Sequence, residues 1–172
     1  MVSYIPDGAA PKIGEVEVPF FEDARSDNAT GHATTKTPEK LQAEIVGLLS
    51  QLGGAAIRFE PVQFVGKPLR YGYIVRFVLI SVSDTAIPCR IPIACLPMHS
   101  ETPQRKRAAQ AQVLYAFRDS LKSELDALRY RPGYAPLALH MIDPGTDRTV
   151  MESIADRAAL PLGTPQLPGG GQ

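Results

Sequence analysis

The chain of 172 residues balances 18 Lys+Arg against 18 Asp+Glu, with 44% hydrophobic and 21% charged residues. That apolar content is enough for one domain with its own core, and the zero formal net charge excludes a basic footprint spread over the whole protein. No run approaches the roughly 18 apolar residues of a membrane-spanning helix, and two cysteines cannot build a disulfide framework in a chain this long.

Residues 1–36 are rich in Pro, Gly, Asp, Ser and Thr and carry six acids against three bases. They predict a flexible acidic arm. Within it "GEVEVPFF" (14–21) alternates and can add a short strand to a sheet edge, whereas "EDARSDNATGHATTK" (22–36) has no period and reads as a linker. The start lacks the cationic run and apolar core of a signal peptide, so cytoplasmic residence is expected.

"TPEKLQAEIVGLLSQL" (37–52) predicts a helix. Thr37 suits the N-cap and Pro38 the first helical position, where a missing N–H costs nothing. Leu41, Ile45, Leu48 and Leu52 form the apolar stripe, Leu49 widens it, and Gly53-Gly54 stops the helix.

Three strands follow. In "AAIRFEPVQFV" (55–65) the apolar positions run through Ile57 and Phe59, then change phase after Pro61 to Val62 and Phe64. This predicts a bulge or bend there and an edge position. "GKP" (66–68) is a turn. "LRYGYIVRFVLISV" (69–82) is apolar at nearly every position and reads as the central strand, covered on both faces. "AIPCRIPIACLP" (86–97) alternates, and its Pro88 and Pro92 share one phase, as an edge strand allows. Cys89 and Cys95 lie about 20 Å apart along such a strand, so they are read as buried free thiols.

A long helix is predicted from about Pro103 to Leu128, striped by Leu114, Phe117, Leu121, Leu125 and Leu128. "YAPLALHMI" (134–142) is a short apolar segment and "DPGTDR" (143–148) a turn. "TVMESIADRAAL" (149–160) opens with a capping-box pattern, Thr149 with Glu152 three residues on, and residues 161–172 read as a disordered tail. The expected fold class is α+β: a two-layer sandwich over 37–160, with a three- to four-stranded, mainly antiparallel sheet covered by two amphipathic helices.

The sequence "TPEKLQAEIVGLLSQLGG", the helix "QRKRAAQAQVLYAFRDSLKSELDAL" and the closing "PLALHMIDPGTDRTVMESI" resemble a group of small uncharacterised proteins carried by phages and mobile elements. The likeness covers about residues 37–155. It implies an accessory protein of a mobile element, and it brings no catalytic residues with it.

The sharpest local feature is Arg105-Lys106-Arg107. Residues 53–131 carry twelve bases against six acids, and these three cations fall in the first turns of the long helix, where exposed amides already create positive potential. One reading is that an external phosphate or nucleic acid compensates them, with Lys67 and Arg70 extending the patch. The other is that Glu101 and the acidic N-terminal segment screen them.

Tyr71, Tyr73, Phe77, Phe59 and Phe64 lie on sheet strands, and aromatics on a wet sheet face can stack bases while Arg58, Arg76 and Arg90 track phosphates. Tyr71, Tyr73 and Phe77 share a phase with Val75, however, which points them to the core. Arg76, set in the most apolar strand, needs an anion, and Glu60 on the neighbouring strand is the candidate.

Cys89, Cys95 and His99 match no standard zinc spacing. There is no paired-carboxylate nuclease pattern, nucleophile elbow, P-loop or dinucleotide fingerprint. Neither a metal nor a cofactor is expected. The leading expectation is therefore a non-enzymatic accessory protein that binds a polyanion, with nucleic acid (DNA or RNA) as the partner, through Arg105, Lys106, Arg107, Lys67 and Arg70. The alternative is a protein-interaction or assembly module, a homo-oligomer included, that adds strands at the edge 86–97 or through the arm 14–21.

Overall fold

A threonine begins each of the two long helices. Thr37 caps α1 (Pro38–Gln51) by accepting from the Lys40 amide, and Thr102 caps α2 (Pro103–Ala127) by accepting from the Arg105 amide. Each is followed by a proline whose fixed φ suits the first turn. Gly53, at φ +94°, turns the chain out of α1 as the sequence predicts. The computed structural model describes residues 2–3, 5–6, 17–64, 66–67, 69–81 and 83–159.

Between the helices run β4 (Gly54–Phe64), β6 (Arg70–Ile80) and β7 (Ala86–Ala94), an antiparallel sheet of order β4-β6-β7. The short strands are β1 (Val2–Ser3), β2 (Ile5–Pro6), β3 (Glu17–Val18), β5 (Gly66–Lys67), β8 (Ile142–Asp143) and β9 (Arg148–Thr149). They pair β1 with β3, β2 with β5, and β8 with β9. α3 (Val150–Ala159) closes the described chain. Its start is a reciprocal capping box: the Glu152 amide donates to Thr149 Oγ1 at 3.1 Å, and the Thr149 amide donates to Glu152 Oε2 at 2.8 Å.

Both long helices lie on one face of the sheet. Leu41, Ile45 and Leu49 of α1 and Leu114 and Leu121 of α2 pack against Tyr73, Val75, Phe77, Cys89, Ile91 and Ile93. This is the expected α+β class with two layers. Each of these large side chains contributes about 1.5–3 kcal/mol on burial. The α2 stripe runs past the sheet: Leu114 is buried, Phe117 partly so, and Leu128 is 36% exposed.

Two expectations about the sheet are corrected. The β4 irregularity lies between Ala55 and Arg58, with Ala56 at φ +51°, and not at Pro61; from Arg58 to Phe64 the register with β6 is unbroken. The phase change after Pro61 means that Val62 and Phe64 point to the other face of the sheet, away from the helices. The central strand β6 is buried on the helix side only; on the other side Ile74 and Val78 are half-buried and Ile80 is 53% exposed.

Residues 20–36 are no free linker. Phe21–Asp23 form a 3-10 turn, the Phe21 amide donates to the Pro97 carbonyl at 2.7 Å, and Ala24 is 2% exposed. Gly31, at φ +81°, approaches α2 so closely that a Cβ there would lie 2.8 Å from the Gln112 carbonyl oxygen. The packed unit thus begins before residue 37. Of the expected strand at 14–21, Glu17–Val18 is strand and Phe21 opens the 3-10 turn, while residues 14–16 and the predicted tail at 161–172 lie outside the described residues.

Candidate functional site

The three cations at the start of α2 each meet a carboxylate of the same chain. Arg105 lies 3.4 Å from Glu22, Lys106 3.1 Å from Glu101, and Arg107 2.8 Å from Glu39. Lys106 also donates to the Tyr71 hydroxyl at 3.0 Å and lies over that ring, 4.1 Å from its centre. Tyr71 in turn donates to Glu101, so hydroxyl, ammonium and carboxylate form a closed triangle.

Glu22 does more than balance charge. It accepts from the amides of His99 and Ser100 at 3.2 and 3.3 Å, in the loop leading into α2. Partial burial pushes its carboxyl up, but these hydrogen bonds, one from its own amide and the charge of Arg105 outweigh that, and it sits below the ordinary carboxylate range. Glu39 is lowered by its own backbone amide, Thr37 and Arg107, and Glu101 by the Tyr71 hydroxyl and Lys106. Lys106 is raised by the same hydroxyl and carboxylate.

With all three cations paired, the helix start needs no external anion, and its compensation is the internal screening weighed from the sequence. The cations instead fasten residue 22, residue 101 and the first turn of α1 to α2. The unpredicted part is the reach of Glu22, which crosses 83 residues of sequence. Only the acidic excess of the first 36 residues signals it.

Of the two residues expected to extend the patch, the Lys67 side chain lies outside what the structure describes, and Arg70 is turned to the end of β7. Lys67 sits in β5, where its backbone pairs with Ile5. Arg70 donates from Nε to the Cys95 carbonyl at 2.6 Å and from Nη2 to the Ala94 carbonyl at 3.0 Å, satisfying the end of β7. Strand alternation points it away from Tyr71 and the α2 start.

The face of the sheet away from the helices is built differently. Arg58, Arg76 and Arg90 stand directly opposite one another on β4, β6 and β7. Like charges in that relation are destabilising. Arg76 is met by Glu60 at 2.7 Å, the partner the sequence suggests, and Arg90 by Glu152 at 2.9 Å and by the Asp147 carbonyl at 2.8 Å. Arg58 is exposed.

Around this row lie Val62, Ile74, Val78, Ile80 and Phe64, whose ring would be 2.8 Å from a Cβ at Gly72. Glu152 brings the first turn of α3 to the β7 side of the row, and α3 exposes Met151 (46%) and Ile154 (52%). Most of the aromatics that base stacking would need are on the other face, where Tyr73 and Phe77 are 5% and 2% exposed; Phe64 is on this face, with its ring packed over Gly72.

Both sheet edges are blunted. β4 carries its irregularity and Pro61, and β7 carries Pro88 and Pro92, with Met141 bridged to Cys89 on its outer side. Among the described residues no group of His, Cys, Asp and Glu is placed to hold a metal, and no helix is long and apolar enough to cross a membrane. His99, third member of the soft-ligand trio, stacks on Phe20 at 3.6 Å. Compared with known proteins, the chain matches no family model, no curated protein and no solved structure.

Proposed function

We propose that the protein is a non-enzymatic binding module that docks a partner protein on the outward face of its three-stranded sheet. The observation that supports this is the contrast between the two faces: Val75 and Phe77 are closed under the helices, whereas half-buried Ile74 and Val78 and exposed Ile80 surround an arginine row with no described helix laid over them. Apolar side chains mixed with arginine match the composition of protein interfaces; nucleic-acid interfaces are more polar and far more positive. The accessory role beside a mobile element rests on the sequence resemblance and belongs to the same proposal.

The size of the face narrows the occupant. Three strands about 4.8 Å apart and some 10 residues long offer roughly 500 Å². That is below the ~800 Å² per partner of a standard interface, and it suits one amphipathic helix bearing carboxylates toward Arg58. Strand addition is a poorer mode, because each edge lacks donors or register.

A photo-crosslinking amino acid at Ile80 tests the reading against one at exposed Lys122 on α2. Capture of a discrete protein from Ile80 and not from Lys122 supports it; equal labelling from both, or none, counts against it. A second reading, polyanion binding on the same face, is favoured by the register of the three arginines. It requires affinity for DNA or RNA that falls steeply with salt.

A further inference from the structure

We infer that the outward sheet face pairs with a second copy of this chain, about a two-fold axis nearly parallel to β6; this rests on the proposed use of that face as a docking surface and names the partner. Two observations carry it: the order of charge along the arginine row, and the area that α3 adds beside the sheet.

Charge along the row is uneven. At the β4 end Arg58 is exposed and, among the described residues, has no carboxylate partner. In the middle Arg76 is neutralised by Glu60 at 2.7 Å. At the β7 end three carboxylates, Asp143, Asp147 and Glu152, outnumber Arg90 and Arg148. Asp147 lies 3.7 Å from Arg90 with its side chain 86% exposed. The row thus reads positive, neutral, negative. An isologous interface sets one patch on the same patch of the other copy. An axis running across the strands lays Arg58 on Arg58, which is repulsive. An axis along β6 lays β4 of each copy over β7 of the other, so each Arg58 meets Asp147 and Glu152 of the second copy, and unlike charges meet twice.

The same axis stacks the apolar side chains. Ile74, Val78 and Ile80 of β6 meet their own counterparts along it, and Arg76 meets its counterpart with Glu60 already beside each. Pro88 and Pro92, which blunt the β7 edge, present exposed rings to this face. The sheet alone offers roughly 500 Å². The Glu152–Arg90 pair stands α3 beside β7, and so over β4 of the second copy. Ten residues long, α3 adds about 150 Å² and brings exposed Met151 and Ile154. Each copy then reaches the ~600 Å² at which specific interfaces begin. The amphipathic helix with carboxylates toward Arg58 is α3 of the second copy.

The test is sedimentation equilibrium of the purified full chain from about 1 to about 500 μM, which covers the weak end for an interface of this size. The mass is expected to rise from one chain to two. Arg58→Glu and Asp147→Lys, each at unchanged Tm, weaken pairing about tenfold or more, and mixing the two variants restores it, because every contact in the mixed pair joins unlike charges. Asp147 sits at φ +52°, so should Asp147→Lys not fold, a photo-crosslinker at Ile80 in the purified chain decides. It links two copies of the wild type and far fewer of Arg58→Glu; no link, or equal linking in both, overturns the pairing. A mass of one chain at every concentration also overturns it, and capture of a different protein at Ile80 then leaves the docking face standing with another occupant. So does a dimer that neither variant weakens, or a mixture of variants that stays single.

Discussion

Replacing Glu22 by alanine tests whether the α2 start is held together from within. The substitution strips the His99 and Ser100 amides of their acceptor and leaves Arg105 without its carboxylate. Hydrogen bonds to a charged group contribute about 1.5–3 kcal/mol each in good geometry. Here all three are 3.2–3.4 Å long and the side chain is 22% exposed, so water recovers much of the loss. A net cost of about 1–2 kcal/mol at pH 7 follows, or a Tm lower by roughly 2–8 °C for a chain of this size.

The sign of the pH dependence is fixed by the direction of the shift. Glu22 is lowered in the folded state, so its contribution is present above the ordinary carboxylate pKa and fades as pH falls through the folded value. Urea melts at pH 7 and at about pH 3 measure both numbers, the gap between wild type and Glu22→Ala narrowing in acid. A gap below about 0.3 kcal/mol at pH 7, or one that widens in acid, refutes the clamp.

Three further outcomes are expected. Gln112→Leu raises Tm by a few degrees, because an unmatched buried acceptor costs about 1–3 kcal/mol; a fall of that size in thermal melts shows that Oε1 is bonded after all. Gly31→Ala loses more stability than Gly133→Ala in urea melts: both sit at strongly positive φ, but a Cβ at Gly133 meets nothing within 4 Å whereas one at Gly31 strikes the α2 backbone. The thiols of Cys89 and Cys95, raised by burial to about 11 and about 12, stay unreactive to a disulfide reagent at pH 8 in the native protein and react on unfolding; fast native labelling contradicts their burial.

The fold was largely readable because its signals are local. Thr-Pro starts, a leucine stripe and Gly-Gly set α1, and Thr149 with Glu152 set α3. The phase change after Pro61 was equally visible, yet its meaning was not: a bulge and a change of face leave the same trace in sequence, and only the β4–β6 register separates them. The clamp at α2 was half legible. Glu101 lies four and five residues from Arg105 and Lys106, and the acidic bias of the first 36 residues pointed to screening. That Glu22 and Glu39 are the carboxylates depends on tertiary distance, which no spacing encodes. Gln112 gave no signal, because a polar residue in a polar stretch of helix reads as solvent-facing until the 31–38 segment is laid over it.

The outward sheet face is tested most directly by the affinity of the protein captured at Ile80 for two surface variants, Ile80→Asp and Arg58→Glu, with Lys122→Glu as the control. Loss of about tenfold or more in both face variants at unchanged Tm, with the control at wild-type affinity, is the predicted result, since interface anchors cost above 1 kcal/mol when removed. Wild-type affinity in both face variants contradicts docking on this face.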